Sequence, residues 1–114
     1  MTKFEEQMVK YKEAISKYSI DVPVDLVESA AAALGPSIYK SDSNGVACSQ
    51  KSEKDYVVEK FLKGKLGLSE DDATLMKAVD EVCEKMGTKN PMKYRPIFYA
   101  LLAKKFGKES VYNA

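Results

Sequence analysis

The apolar residues of this chain recur every three or four positions, and no segment alternates apolar and polar residues for long. The clearest stripe lies near the start and consists of Phe4, Met8, Tyr11, Ile15 and Tyr18. This period is that of one face of an α-helix, whereas a half-buried strand requires a period of two. The pattern therefore predicts an all-α fold. We expect the first stripe to pack on the chain's own domain, with binding of a partner helix as the alternative.

Glycine and proline residues divide the pattern into five helices. Pro23 and Gly35 suit the start and the end of an alanine-rich second helix. Pro96 cannot donate a backbone hydrogen bond, so the last helix is expected to begin at about residue 95 or to kink there. With 114 residues in all, we expect a single domain spanning 1–114, a compact orthogonal bundle of five helices.

One long irregular segment, residues 36–49, interrupts the helical pattern. Its turn-forming residues predict a loop, and its apolar residues are expected to reach the core and hold that loop in place. These apolar residues are Ile38, Tyr39, Val46 and Cys48. Because long ordered loops are often functional, the segment is a candidate site.

Four loop residues are candidates for chemistry: Ser37, Tyr39, Lys40 and Cys48. Ser37 and Lys40 have the Ser-x-x-Lys spacing with which a lysine activates a serine in penicillin-binding proteins, but the chain contains neither Ser-Asp-Asn nor Lys-Thr-Gly. Cys48 has no histidine to activate it and is expected to be a small buried side chain. An enzyme centred on this loop is therefore the least favoured interpretation.

The composition excludes several further classes of function. Histidine is absent, which removes the commonest general base and metal ligand. The only cysteines, Cys48 and Cys83, are too few for a thiolate metal site. We expect free thiols in a reducing cytoplasm, since a bond between them requires a proximity that the sequence does not show. The longest apolar run, Ile97 to Ala103, is far shorter than a membrane span of about 20 residues. The sequence predicts a cytoplasmic protein without cofactor, bound metal or membrane contact.

Charge is unevenly distributed, although the net charge is only +1. Residues 69–84 hold six acids and one base, and residues 85–108 hold seven bases and no acid. We expect the two segments to pair with each other. The alternative is a surface for nucleic acid, because lysines neutralise phosphates and the interleaved aromatic rings stack on bases. The residues that would form it are Lys93, Arg95, Lys104, Lys105 and Lys108.

Several strings together resemble a known family. They include Gly-Pro-Ser-Ile-Tyr at 35–39, Val-Cys-Glu-Lys-Met-Gly at 82–87 and Ala-Lys-Lys-Phe-Gly-Lys at 103–108. On these strings the chain resembles a bacterial family of small proteins called domain of unknown function 2853. The resemblance implies a bacterial, cytoplasmic origin, and it implies no catalytic residue and no cofactor.

The sequence thus favours a non-enzymatic interaction module, with an unknown protein partner or self-association. Nucleic-acid association through the basic C-terminal helix is the alternative. A contiguous exposed apolar patch would favour the first function. Clustering of the five bases on one exposed face would favour the second, and a concave pocket lined by the loop residues would favour an enzyme.

Overall fold

The computed structural model describes residues 1–112, without the side chains of Ser41 and Asp42. Five helices form an all-α domain, as predicted. They are α1 (Lys3–Lys17), α2 (Val24–Leu34), α3 (Lys51–Tyr56, continuing as Val57–Lys65), α4 (Asp72–Lys85) and α5 (Arg95–Lys105). Within residues 1–112, strand-like pairing is limited to one isolated bridge between Gly45 and Tyr94.

Helix α5 forms the centre of the domain. All nine residues from Arg95 to Ala103 are buried, as expected for a helix that is apolar on every side. Helix α2 packs against it and buries Ala30 and Ala31 completely. These small side chains let the two helix backbones approach closely, so the alanine-rich segment serves as a packing surface.

The helix ends follow the glycine and proline signals. Pro23 precedes α2 with a φ of −65°, and Gly35 follows it with a φ of +66°, a conformation that favours glycine. Pro96 lies in the first turn of α5, where its missing N–H removes no helical hydrogen bond. The expected start near residue 95 is confirmed, and the alternative of a kink is wrong.

Helix α3 changes its winding along its length. Lys51–Tyr56 is α-helical, and Val57–Lys65 is a π-helix. The sequence predicts a helix here but not this wider turn. The π segment directs Phe61 into the core, where its ring stacks on Tyr99 at 3.9 Å between centroids.

The segment 36–49, predicted to be one loop, begins with two short helical turns. Gly35–Tyr39 forms a 3-10 helix and Ser41–Asn44 a single α-helical turn. The backbone N–H of Val46 then donates to the carbonyl of Lys93 at 2.9 Å. The segment is therefore attached to the start of α5.

No helix within residues 1–112 combines the length and the apolar character that crossing a membrane requires.

Candidate functional site

Helices α1 and α2 form a surface groove. Phe4 borders a depression together with Ala31, whereas Lys12 borders one together with Glu28. Phe4 borders both of these depressions. The two helices are joined by a short connection, residues 18–23. The groove follows the line between them.

Two adjoining depressions of about 380 and 400 Å³ make up this groove, and Phe4 borders both. We call it the Phe4 groove. Its lining residues are Met1, Phe4, Glu5, Met8, Val9, Lys12, Glu28, Ala31, Ala32, Gly35, Pro36 and Tyr39. Most of these residues are apolar. The charged ones are Lys12 and Glu28, and Glu5, which follows Phe4 in the first turn of α1.

Exposed apolar side chains concentrate at the Phe4 groove. Among the described residues, four large apolar side chains are substantially exposed: Met1 (88%), Val9 (38%), Tyr39 (42%) and Tyr56 (52%). Three of the four line the groove, and only Tyr56 lies elsewhere. Exposed apolar residues gathered in adjoining depressions mark an interaction site more often than scattered ones do.

Helical geometry explains why the groove remains open. Met8 lies on the buried stripe of α1 and forms part of the groove wall. Val9 is one position further round the helix, so it points away from the core while staying beside Met8. On α2, the small side chains of Ala31 and Ala32 leave a depression that a larger residue would fill.

Three charged residues line one of the two depressions of the Phe4 groove. The carboxylate of Glu5 accepts a hydrogen bond from the backbone N–H of Thr2 at 2.9 Å. Hydrogen bonding with Thr2 lowers the pKa of the Glu5 carboxyl group. Lys12 on α1 and Glu28 on α2 are exposed, and within the described part of the chain neither takes part in an ion pair. The depression therefore carries one cation and two carboxylates, of which Lys12 and Glu28 have no ion-pair partner among the described residues.

The four loop candidates do not come together. Ser37 borders a cleft that Arg95 also lines, rather than the Phe4 groove. Its hydroxyl donates to the carbonyl of Leu34 at 3.0 Å. Tyr39 lines the Phe4 groove and Lys40 is exposed. The expectation that Tyr39 is buried is wrong, because the 3-10 turn directs Ile38 into the core and leaves its neighbour at the surface.

Cys48 and Cys83 form a disulfide, with their Cα atoms 6.1 Å apart. The expectation of free thiols is therefore wrong. The attachment of the 36–49 segment to α5 brings Cys48 beside α4. The sequence does not show this proximity, because the two cysteines are 35 positions apart. The bond also removes Cys48 as a nucleophile. The cytoplasmic location stays a prediction, now without the support that free thiols would have given it.

Arg95 holds the segment 41–45 in place. Its Nε donates to the carbonyl of Ser43 at 2.9 Å and its Nη2 donates to the carbonyl of Gly45 at 2.9 Å. Nη2 also forms an ion pair with Glu53, and Nη1 donates to the hydroxyl of Tyr99 at 2.8 Å. Four of the five N–H bonds of a guanidinium group are thus occupied. The side chain connects α5, α3 and the loop from inside the protein.

A cleft of about 270 Å³ lies beside this network. Its lining residues are Leu34, Ser37, Ser43, Glu53, Tyr56, Arg95 and Tyr99. Burial raises the pKa of the Tyr99 hydroxyl, and the positive charge of Arg95 opposes that rise. Because Glu53 neutralises Arg95 and the loop carbonyls occupy its donors, the network is organised to hold the loop.

The five bases predicted to bind polyanions do not share one exposed face. Arg95 is buried. Lys104 lies 3.3 Å from the carboxylate of Asp21, and Lys105 pairs with Glu81. Lys93 donates to the carbonyl of Asn90 at 3.0 Å, near the start of α5, whereas Lys108 lies beyond its end and is exposed.

The acidic and basic segments pair less directly than predicted. Within the described residues, one ion pair joins α4 to α5, between Glu81 and Lys105. Lys105 lowers the pKa of the Glu81 carboxyl group through this hydrogen bond. Two other carboxylates of α4 pair with α3: Asp80 with Lys54 at 3.0 Å and Asp72 with Lys63 at 2.6 Å. Helix α3 therefore supplies much of the compensating charge.

Comparison with known proteins agrees with the sequence resemblance. None of the curated proteins with which the sequence was compared matches it. The profile of a family described as "Protein of unknown function (DUF2853)" matches residues 10–110. This match covers nearly the whole chain, including α2, the segment 36–49 and α5. The chain therefore belongs to the DUF2853 family.

Proposed function

We propose that this protein is a non-enzymatic interaction module that binds a protein partner in the Phe4 groove. The observation that supports the proposal is the concentration of exposed apolar side chains there: Met1 and Val9 line one depression, and Tyr39 lines the adjoining one. An apolar centre with a polar rim is the usual anatomy of a protein interface. Glu5, Lys12 and Glu28 would form part of that rim.

The placement of the candidate catalytic groups favours binding over catalysis. Cys48 is bonded to Cys83. The hydroxyl of Ser37 is engaged with a backbone carbonyl. Tyr39 lines the Phe4 groove rather than the cleft that Ser37 borders. These groups therefore do not supply one another with a base or an orienting partner.

The nucleic-acid alternative has weaker geometric support. It needs several cations that face solvent on one side of the molecule. Arg95 is directed inward, and Lys104 and Lys105 face carboxylates.

A bacterial origin and a cytoplasmic location remain what the family resemblance implies, and fractionation of the native cells tests the location.

Crosslinking in the cells that make this protein tests the proposed function. Cells are treated with formaldehyde before lysis, and the mass of the tagged chain is compared with its own 12.7 kDa. We expect a discrete larger complex that is lost on Val9→Asp, because a carboxylate would then enter the apolar groove. Val9 is exposed, so this substitution should leave the fold intact.

The matched control is Lys60→Asp, which also introduces an exposed carboxylate but on α3, away from the groove. This variant should keep the complex. The proposed function is rejected if no complex forms, or if both substitutions affect it equally.

A further inference from the structure

We infer that the cleft beside Arg95 binds a small neutral polyol, such as a single sugar ring. The cleft measures about 270 Å³, and none of the described residues lines both this cleft and the Phe4 groove. The inference therefore goes beyond the proposed function and does not depend on it. The hydrogen-bonding groups of the cleft, its charge and its size each favour this class of ligand.

One buried hydroxyl group of the cleft has a proton without an acceptor. Tyr99 lines the cleft and is only 5% exposed. Its oxygen accepts a hydrogen bond from Nη1 of Arg95 at 2.8 Å, and its own O–H donates to none of the described residues. Burial raises the pKa of this hydroxyl group, so the group is protonated at neutral pH and can donate. Because buried polar groups are nearly always paired, this donor indicates a ligand or a water molecule that accepts from it.

The other polar groups of the cleft are mainly acceptors. One carboxylate oxygen of Glu53 pairs with Arg95, and the other receives no hydrogen bond from the described residues. The hydroxyls of Ser37 and Ser43 donate to backbone carbonyls at 3.0 and 2.7 Å, which leaves their lone pairs as acceptors. The cleft thus offers a donor beside several acceptors. Alcohol groups match this mixture, because each of them both donates and accepts.

The charge of the cleft is balanced. Glu53 neutralises Arg95, and four of the five N–H bonds of Arg95 are occupied. An anionic ligand would therefore meet a guanidinium group that is already paired, together with the carboxylate of Glu53. A cationic ligand would lie close to the positive charge of Arg95. Either ligand would lose water without gaining an unpaired partner of opposite charge, so a neutral ligand is favoured.

The size and the walls of the cleft suit one sugar ring. Pockets for drug-sized ligands measure about 300–1,000 Å³, so this slightly smaller cleft suits a smaller molecule. Tyr56 borders the cleft, is about half exposed, and has its ring centroid 6.0 Å from the guanidinium carbon of Arg95. An aromatic ring of this kind attracts the C–H groups of a sugar through its negative face. Leu34 adds an apolar wall.

Amide NMR on the isotope-labelled, full-length protein tests the inference. The probes are glucose, galactose, mannose, ribose and myo-inositol, each added up to about 100 mM. We expect at least one of them to shift the amide signals of Ser37 and Ser43 but not that of Val9 in the Phe4 groove. The dissociation constant should be about 1–10 mM, as expected for a ligand with roughly a dozen non-hydrogen atoms.

Variants of three tyrosines locate the binding. Tyr56→Ala removes the aromatic wall and should weaken binding about fivefold or more, whereas Tyr56→Phe keeps the ring and should bind within about twofold of the wild type. Tyr99→Phe removes the buried donor and should weaken binding about threefold or more, and circular dichroism checks that this variant is folded. The matched control is Tyr39→Ala, which removes an exposed tyrosine from the Phe4 groove and should leave sugar binding unchanged.

Three results overturn the inference. The first is that none of the five probes shifts the amide signals of the cleft. The second is that sodium phosphate or diaminopentane, added as charged probes, binds there more tightly than every neutral probe. The third is sugar binding that Tyr56→Ala weakens no more than Tyr39→Ala does. Crosslinking of a protein partner in cells is independent of these results, so the proposed function and this inference can fail separately.

Discussion

Reduction of the bond between Cys48 and Cys83 should destabilise the protein without unfolding it. The bond closes a loop of 35 residues. In the chain-entropy treatment, a loop of this length contributes about 4 kcal/mol, because the bridge restricts the unfolded chain. That is a large share of the roughly 5–15 kcal/mol that stabilises a typical domain. The reduced protein should stay folded, since Arg95 still holds the same loop.

Urea unfolding followed by circular dichroism measures this effect. With a slope of about 1.5 kcal/mol per molar urea, reduction should lower the midpoint by about 2.5 M. The control is the double variant Cys48→Ser, Cys83→Ser, which should unfold like the reduced protein and should not respond to a reductant. The reasoning is refuted if oxidised and reduced wild-type protein unfold with free energies that agree within about 0.5 kcal/mol.

Three further predictions concern single side chains, and urea unfolding checks each of them. Arg95→Met should lower the unfolding free energy by about 3–5 kcal/mol, because it leaves Glu53 and two loop carbonyls unpaired; a loss below about 1 kcal/mol would contradict this role. Tyr11→Phe should cost about 1 kcal/mol at neutral pH, since it removes the 2.8 Å hydrogen bond from Tyr11 to Asn44. Burial raises the pKa of the Tyr11 hydroxyl above its ordinary value of 10.0, so the contribution of Tyr11 to folding stability is complete below pH 10 and is lost as the pH rises above it. Tyr11→Phe should therefore make the alkaline loss of stability shallower by up to about 1.4 kcal/mol per pH unit. An unchanged slope would argue against the burial of Tyr11. Ser19 has a φ of +51°, so Ser19→Asn should be neutral or slightly stabilising and Ser19→Val should cost about 1 kcal/mol or more, whereas equal stabilities would contradict the assigned backbone.

The helices were predictable because their signals are local. The three-four spacing around Tyr11 indicates which face of α1 is buried, and Gly35 and Pro96 mark helix ends through their own backbone limits. These signals require no knowledge of distant parts of the chain. The π-helical winding of α3 has no such marker in the sequence, and it was not predicted.

The predictions that failed depend on contacts between distant segments. The nucleic-acid alternative placed Arg95 among five exposed bases, because these bases are interleaved with aromatic residues in the sequence. Arg95 is buried because Glu53 and the carbonyls of the loop occupy its donors, and nothing beside Arg95 in the sequence indicates those partners. The pairing of Cys48 with Cys83 has the same origin, since it follows from how the loop attaches to α5.

The Phe4 groove was predictable only in part. The sequence indicated that α1 is amphipathic, and it left open whether its stripe packs inside the domain or on a partner. Met8 and Tyr11 of that stripe are buried inside the domain, as expected, while Val9, which is outside the stripe, is exposed beside them. Partner binding by α1 stays a prediction. The groove also depends on the register between α1 and α2, which places Ala32 and Tyr39 near Phe4. A single sequence contains no direct signal for that register.

The most direct test of a partner in the Phe4 groove compares two exposed tyrosines. Tyr39 lies in the groove and Tyr56 lies in the cleft beside Arg95, and their exposures, 42% and 52%, are similar. Each is replaced in turn by a photoreactive benzophenone amino acid, and the native cells are irradiated. We expect a discrete crosslinked product from position 39 and none from position 56. Equal products from both positions, or a product from position 56 alone, would contradict the assignment of the groove as the interaction surface.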